Sequence, residues 1–328
     1  MKRFIVLIMV LTLFTGVLAG CSKAPVEDNN TNISENTPSA AEGSQEPIEE
    51  AAWPKTITDA AGNQIVVKKQ PERITLLHVV YMEYFLALDT PPTAAAIGNK
   101  LGETEELDKS ELFGPYLENV DMMVVGSSRD LNLEAVLESN PDLLVTFHNP
   151  AGLDAYDQLV EIAPVVQLDY NSTWQEQLLM VGELLGKEKQ SKKLITEIEK
   201  EISDAKDTLA PYEDRTFGLF RTDGKNFIAQ GTAKYYETFG ITKPKGFSDA
   251  ADSMSLEAVA EMDPYYIVFQ HNYEMSKSFV ESMESSSVWQ SMDAVKNGRI
   301  YYFDENMNSF GPLALRLAAE KLTEMYSK

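Results

Sequence analysis

A stretch of 17 residues occurs twice in this chain, and this duplication constrains the fold more than any other feature. The first copy, at 133–149, reads LEAVLESNPDLLVTFHN, and the second, at 256–272, reads LEAVAEMDPYYIVFQHN. They align without a gap at an offset of 123 residues, with nine identical positions. In each copy a polar residue (Asn132 or Ser255) precedes a helical turn, which ends before a proline and leads into a short apolar strand. Solenoid repeats span only about 20–50 residues, so this offset predicts two similar lobes.

Short apolar strands alternate with helical patterns on both sides of each copy, which is typical of parallel sheets with helices on both faces. The longest helical pattern, at 188–209, lies midway between the copies and carries one apolar stripe. We therefore predict an α/β fold with two lobes of mostly parallel sheet joined by one long helix. The predicted boundaries are an N-terminal lobe at 53–172, a connector at 173–211 and a C-terminal lobe at 212–328.

The N-terminus has the pattern of a lipoprotein signal peptide at 1–20. Lys2 and Arg3 precede an apolar run that is too short for a membrane span, and small residues then precede Cys21, the only cysteine. This order resembles the lipobox of bacterial lipoproteins, which implies cleavage before Cys21 and lipid attachment to its thiol. The remainder of 21–52 is rich in small and polar residues, so we expect a disordered tether there.

The charge of the chain argues against a nucleic-acid partner. The formal net charge is −23, and it becomes −25 when Lys2 and Arg3 are removed with the signal. The tether contributes −6, which leaves −19 on 53–328. Phosphate binding needs a basic surface. The motifs G-x-S-x-G, H-E-x-x-H, the P-loop and G-x-G-x-x-G do not occur, so we expect a binding protein, with a surface hydrolase as a minor alternative.

All three histidines follow predicted strands. Ligands of open α/β sheets bind beyond the carboxyl ends of the strands, and His148 and His271 are equivalent in the repeat. We therefore predict that these two face each other across a shared cleft, with His78 nearby. A local hydrogen bond to backbone would explain each histidine equally well. The three together also leave open a zinc or manganese site completed by a carboxylate.

Arg221, at the end of the first strand of the second lobe, is the main candidate cation. A guanidinium there can bind an anionic group with two parallel hydrogen bonds, although a salt bridge to one of the many acids is the competing interpretation. Further candidates for ligand contact are cationic, aromatic or amide side chains, namely Arg129, Arg316, Tyr81, Tyr273, Trp289 and Asn308. Aromatic residues pack cores more often than they bind ligands.

Glu134 and Glu257 form a second matched polar pair. A carboxylate in the first helical turn is favoured by the helix dipole by about 0.3–1 kcal/mol. Capping alone does not explain why both lobes carry one at the same position. The pair indicates a partner that is itself pseudo-symmetric and contacts each lobe once.

Together these features resemble the ferric-siderophore and cobalamin class of ABC-transporter solute-binding proteins, over about 57–328. The resemblance rests on seven blocks in the order of that family, which are ITDAAGNQIVVKKQPERITLL at 57–77, NLEAVLESNPDLLV at 132–145, IAPVVQLD at 162–169, VGELLGKE at 181–188, SLEAVAEMDPYYIV at 255–268, VWQSMDAVKNGRIYYFD at 288–304 and GPLALRL at 311–317. The segment at 78–92 departs from the loop usual in the family.

The resemblance implies two Rossmann-like lobes in the class III periplasmic-binding-protein fold and a ferric siderophore bound in a shallow cleft, without catalysis. It implies that Glu134 and Glu257 dock into arginines of a permease dimer. It further implies a monomer without a covalent cofactor other than the lipid on Cys21, anchored outside the cell membrane of a Gram-positive bacterium. Haem or cobalamin remain alternative ligands of the same fold.

Overall fold

The computed structural model describes residues 53–98, 107–149 and 155–328. The signal at 1–20, Cys21 and the tether lie outside the described residues. Before the connector the chain forms β1 (Lys55–Thr58), β2 (Gln64–Val67), β3 (Ile74–Leu76), α1 (Met82–Ala87), β4 (Ala94–Ala95), α2 (Gly114–Leu117), β5 (Met123–Val124), β6 (Gly126–Ser127), β7 (Asp130–Leu131), α3 (Leu133–Glu138), β8 (Leu143–Phe147), α4 (Tyr156–Ile162) and β9 (Val165–Leu168).

Two consecutive helices, α5 (Trp174–Leu185) and α6 (Glu188–Leu209), lie in the predicted connector at 173–211. The chain then forms β10 (Phe217–Thr222), β11 (Phe227–Ala229), α7 (Tyr235–Phe239), β12 (Ser253–Met254), α8 (Leu256–Met262), β13 (Tyr266–Gln270), α9 (Tyr273–Ser282), α10 (Ser287–Ser291), α11 (Asp293–Lys296), β14 (Ile300–Phe303) and α12 (Pro312–Ser327). None of the described helices is long and apolar enough to cross a membrane.

Two five-stranded sheets form the centres of two lobes, which we call the N-lobe (53–172) and the C-lobe (212–328). The N-lobe sheet has the order β5-β4-β3-β8-β9 and is parallel throughout. The C-lobe sheet has the order β12-β11-β10-β13-β14, in which β10, β13 and β14 are parallel. Here β11 pairs antiparallel with both of its neighbours, β10 and β12, which the sequence did not indicate. The predicted α/β fold with two lobes and one long helix is confirmed.

The repeated stretch forms the same unit in each lobe. Its strands, β8 and β13, occupy equivalent positions in the two sheets, and the side chains of Asn132 and Ser255 accept hydrogen bonds from the first turns of α3 and α8. Just before the prolines, Asn140 and Asp263 both adopt the left-handed conformation, with φ of 48° and 44°. Asn and Asp tolerate this conformation better than other residues with a side chain. The sequence identity therefore reflects one shared way of ending the helix.

One hydrophobic core belongs to both lobes. In the central strands, Val145 and Val268 face this shared core, whereas the adjacent residues Leu144 and Ile267 face separate outer cores. Such strands are buried on both faces, which explains their continuous apolar runs. Helices α1, α5, α6 and α12 all contribute to the shared core, and α12 packs along α6. Separating the lobes would expose this core to water, so the structure favours small relative movements.

Candidate functional site

A pocket of about 640 Å³ lies between the lobes at the carboxyl ends of β13 and β14. The C-lobe wall is formed by residues 271–274 and 302–306, and the N-lobe wall by residues 107–111. This is the edge at which open parallel sheets bind ligands. The location agrees with the general prediction of a cleft beyond the strand ends.

Two tyrosines form an aromatic surface on the C-lobe wall. Asn272 accepts a hydrogen bond from the backbone N–H of Met275 at 3.0 Å, so α9 begins directly after His271. Tyr273 is the first residue of this helix. Tyr273 is 52% exposed, and its ring meets the ring of Tyr302 edge-on at 5.3 Å. Because Tyr302 stacks on buried Phe269, the wall is supported by the outer core.

Asp304 joins the two walls of the pocket. Its Oδ2 accepts hydrogen bonds from the hydroxyl of Ser110 at 2.5 Å and from the backbone N–H of Leu112 at 3.1 Å. Lys321 on α12 forms a further ion pair with Glu111 at 2.7 Å. These contacts connect the N-lobe segment 107–112 to the C-lobe, so the pocket exists in this arrangement of the lobes.

Two buried polar atoms, one in His271 of the pocket lining and one in the neighbouring Gln270, have unused hydrogen-bonding capacity. Gln270 is 1% exposed, and its Nε2 donates to the Tyr235 hydroxyl at 2.8 Å and to the Asp304 carbonyl at 3.3 Å. Within the described residues, Gln270 Oε1 and His271 Nδ1 have no hydrogen-bond partner. Buried polar atoms are nearly always satisfied, so both atoms have hydrogen-bonding capacity for a bound molecule.

The other two histidines have local contacts. His78 Nδ1 accepts from the backbone N–H of Val80 at 3.1 Å, the ring meets Phe147 edge-on at 5.2 Å, and burial lowers the pKa of His78 below its usual 6.5. His148 Nδ1 lies 3.4 Å from Gln167 Oε1. His271 lines the pocket between the lobes and His148 does not, so their meeting across a cleft stays a prediction.

A metal site built from the three histidines is not supported. Among the residues that the structure describes, no group of three or more His, Cys, Asp or Glu side chains could hold a metal ion. Zinc and manganese sites need such a group of converging ligands. The alternative that His78, His148 and His271 bind a bare metal ion is therefore disfavoured.

Arg221 is an available cation near the strand ends. It shares the strand face of Phe217 and Leu219, whose side chains enter the shared core, because alternate residues of a strand point the same way. Its Nε is buried without a hydrogen-bond partner in the described chain, and the competing salt bridge is not found there. The guanidinium is thus not committed to a neighbouring carboxylate.

Three of the residues predicted to contact ligand are buried or paired within the protein. Trp289 is 1% exposed and packs against Phe227 in the outer core of the C-lobe. Tyr81 is 0% exposed, and its hydroxyl donates to the Leu168 carbonyl at 3.4 Å. Arg316 binds Glu201 on α6 through its Nε and Nη2, with distances of 2.9–3.1 Å. Burial or an internal partner accounts for each of them.

Arg129 and Asn308 are exposed, as ligand contact would require. Arg129 lies in the turn between β6 and β7, and Asn308 in a short 3₁₀ helix at 305–309. Neither lines the pocket between the lobes. Their role in binding stays a prediction.

Glu134 and Glu257 are both exposed in the first turns of α3 and α8. A helix that packs on a sheet runs opposite to the parallel strand that follows it, so these turns lie at the edge where β8 and β13 end. Within the described residues neither carboxylate forms an ion pair. Each lobe therefore presents one free carboxylate at the edge where the ligand would enter.

A larger groove of about 890 Å³ lies elsewhere, among α2, α6 and α12. It is lined by residues of these helices and of the turn before α2, including Arg316 and its partner Glu201. No strand end contributes to it, and its arginine is already paired. We therefore place the candidate site in the pocket between the lobes.

The sequence missed several residues of this pocket. Asp304 follows β14 directly, so the rule that selected the histidines could have found it. Tyr302 is the penultimate position of the same strand. Ser110 gave no signal, because 99–119 has no clear periodicity and its contact with Asp304 spans 194 residues.

The two-lobed fold and the cleft define a solute-binding protein, and the chain belongs to the periplasmic binding protein family, which matches residues 74–307. It is 25% identical over 313 residues to the Fe(3+)-citrate-binding protein YfmC of Bacillus subtilis (strain 168), covering 93% of this chain and 90% of that protein. It is 26% identical over 291 residues to the iron(3+)-hydroxamate-binding protein FhuD of the same strain, covering 84% of this chain and 87% of that protein.

Solved structures share the fold. Staphylococcus aureus SirA, complexed with staphyloferrin B, has a TM-score of 0.60 and 21% identity, covering 83% of this chain and 98% of that one. FeuA from Bacillus subtilis, complexed with ferri-bacillibactin, also has a TM-score of 0.60 and 21% identity, covering 82% of this chain and 98% of that one.

Proposed function

We propose that this protein captures a ferric siderophore in the pocket between its lobes and delivers it to an ABC importer, without catalysis. The pocket at the strand ends, closed by a segment of the other lobe, is the observation that carries the proposal. Membership of the periplasmic binding protein family and the iron complexes in the names of its relatives support it.

The ligand contacts that we propose follow from exposure and unused hydrogen-bonding capacity. Tyr273 and His271 line the pocket, and Arg221 offers an uncommitted guanidinium near the same edge. We extend the set to the predicted residues at other strand ends or exposed turns, namely His78, His148, Arg129 and Asn308.

Delivery would use the two free carboxylates, Glu134 and Glu257, each binding one subunit of a permease dimer. A lipid on Cys21 would hold the protein, as a monomer, outside the cell membrane of a Gram-positive bacterium. Relatives named as lipoproteins include the probable siderophore-binding lipoprotein YfiY and the putative ABC transporter substrate-binding lipoprotein YhfQ. These names support the anchor as part of the proposal.

A titration of the purified protein tests the function directly. We expect ferric siderophores to quench its intrinsic fluorescence saturably, with a dissociation constant of about 1 μM or tighter. The iron-free siderophores should bind much more weakly, because the pocket would recognise the compact metal complex. Haem, cobalamin and zinc serve as competitors. Tight binding of one of these, with no response to any ferric siderophore, would refute the proposal.

Substitution of Arg221 separates a ligand contact from a structural one. We expect Arg221→Met to weaken siderophore binding by about tenfold to a hundredfold, because it removes a charge-assisted hydrogen bond. The free energy of unfolding should stay within about 0.5 kcal/mol of wild type, since no internal ion pair is lost.

Arg316→Met is the matched control for Arg221→Met. It should leave the affinity unchanged and lower stability by at most about 1 kcal/mol, since the Arg316–Glu201 pair is partly exposed and screened by solvent. Urea unfolding and calorimetric titration measure the two quantities. A large loss of stability in Arg221→Met would show that Arg221 is structural.

A further inference from the structure

Resting on the proposed function, we infer that the pocket selects ferric siderophores that carry no net negative charge, which are those of the trihydroxamate class. Such complexes are neutral or, where the siderophore has a free ammonium group, singly positive. Tris-catecholate complexes of ferric iron are triply negative, and ferric citrate complexes are also negative. Relatives are named for both citrate and hydroxamate complexes, so their names do not decide between the classes.

The charged lining of the pocket is dominated by carboxylates. Four acids line it, Glu111, Glu274, Asp304 and Glu305, against one lysine, Lys109. Glu111 forms an ion pair with Lys321, and Asp304 accepts hydrogen bonds from Ser110 and Leu112. A net negative lining repels an anionic complex and attracts a cationic one, and the effect is strongest where water is excluded.

The other arginines near this half of the molecule do not offset these acids. Arg299 forms an ion pair with Asp293 and lies over the ring of Tyr265 at 3.7 Å. Arg215 donates to the Tyr326 carbonyl at 2.7 Å, and Arg316 is paired with Glu201. Of these arginines, Arg221 alone has no carboxylate or carbonyl partner among the described residues. A single guanidinium can bind the metal-coordinating oxygens of a neutral complex, but it cannot balance three negative charges.

The uncharged groups in the pocket and directly beside it point to the same class of ligand. Gln270 Oε1, in a side chain that is 1% exposed, is an acceptor with no partner in the described chain. An unpaired acceptor beside carboxylates favours a ligand that donates hydrogen bonds, as amides and ammonium groups do. Tyr273 and Tyr302 offer ring surface for the methylene chains of a ligand, and Lys277 Nζ already lies 5.9 Å from the centre of the Tyr273 ring.

The test compares three ferric complexes of different charge, which are ferrichrome (neutral), ferrioxamine B (singly positive) and ferric enterobactin (triply negative), with ferric citrate as a fourth ligand. We expect each hydroxamate to bind at least about tenfold more tightly than the tris-catecholate. Added salt should strengthen binding of the tris-catecholate and leave that of ferrichrome nearly unchanged, because salt screens the repulsion.

Substitutions then connect the preference to the lining. The double substitution Glu274→Gln with Glu305→Gln should reduce the ratio of the two affinities, that for ferrioxamine B over that for ferric enterobactin, by about tenfold. Glu213→Gln with Asp214→Asn removes the same charge from exposed positions that precede β10, at the opposite end of the strands, and should leave the ratio unchanged.

Three outcomes are distinguishable. Tighter binding of the hydroxamates, with a preference that Glu274→Gln and Glu305→Gln reduce and the control substitutions do not, supports the inference. Tighter binding of ferric enterobactin or ferric citrate overturns the inference and leaves the proposed function standing. Failure to bind any ferric siderophore overturns both.

Discussion

Replacing both Glu134 and Glu257 by alanine is expected to reduce siderophore uptake by cells to background, while the affinity of the purified protein for its ligand is unchanged. Both carboxylates are exposed and lie outside the pocket, so ligand contacts are retained. Loss of one partner from a hydrogen-bonded charge pair in an interface costs about 2–5 kcal/mol. Two such losses would weaken docking by on the order of a thousandfold or more.

The repeat supplies a matched control for this experiment. Glu138 and Glu261 are also equivalent in the two copies and exposed, but they lie near the ends of α3 and α8 instead of at their beginnings. The double substitution to alanine there removes the same charge from the same helices. We expect uptake to persist in this variant, measured with radioactive iron in cells that depend on this protein.

Two results would contradict the docking assignment. If Glu134→Ala with Glu257→Ala lost ligand affinity, the pair would belong to the binding site. If the control variant lost uptake equally, the transport defect would follow from overall charge. The single variants Glu134→Ala and Glu257→Ala add a further check. Each should reduce uptake, since a partner with two similar subunits contacts both carboxylates.

The fold could be predicted largely because its signals are local. The limits of α6 follow from the apolar spacing within the segment, and the structure has this helix at 188–209, where the sequence predicts it. The duplication predicts a second lobe similar to the first, since β8 and β13 are equivalent strands at an offset of 123 residues. The antiparallel edge of the C-lobe sheet was missed, because β11 and β12 have only three and two residues.

The site could be predicted only in part, because the direction of a side chain depends on distant elements. Trp289 and Tyr81 lie close to element ends, as the sequence indicated, yet both point into cores. Arg316 is paired with a glutamate 115 residues away, which no local pattern reveals. His271 and Tyr273 line the pocket directly after β13, and the carboxyl end of a strand is itself a local feature of the sequence.

Glu83 is a buried carboxylate that connects the lobes, and its signal in the sequence was a single acid within an apolar helix. It is 0% exposed on α1, and its Oε2 accepts hydrogen bonds from the backbone N–H groups of Leu313 and Ala314, each at 3.1 Å. These are orphan donors in the first turn of α12, where the helix dipole favours negative charge. A Cβ at Gly311 would overlap the carboxyl group, so glycine is required there.

Burial nevertheless raises the pKa of Glu83 to about 7 from its ordinary 4.5, against the lowering effect of the backbone hydrogen bonds. A carboxyl group with a raised pKa in the folded state binds a proton that the unfolded chain has already released. The stabilisation of the folded state by protonated Glu83 is therefore complete below about pH 4.5 and is lost as the pH rises through about 7. At 1.36 kcal/mol for each unit of pKa, the loss amounts to about 3 kcal/mol.

Glu83→Gln should remove this dependence, because the amide keeps an acceptor for the α12 donors and does not ionise. We expect the stability of the variant relative to wild type to rise by about 3 kcal/mol between about pH 5 and about pH 8, measured by urea unfolding. Glu83→Ala should instead be less stable at every pH, by about 3 kcal/mol, since it leaves a cavity and unsatisfied donors.

Glu176→Gln is the control that separates burial from capping. Glu176 also accepts a backbone hydrogen bond at a helix start, from Thr173 at the beginning of α5, but it is exposed, and that bond lowers its pKa. The stabilisation by the ionised Glu176 carboxylate is lost as the pH falls. The stability of Glu176→Gln relative to wild type should therefore change with pH in the opposite direction to that of Glu83→Gln, and at lower pH. If both variants followed the same pH course, the charge of the whole chain would be the cause, and Glu83 would not be a titrating contact between the lobes.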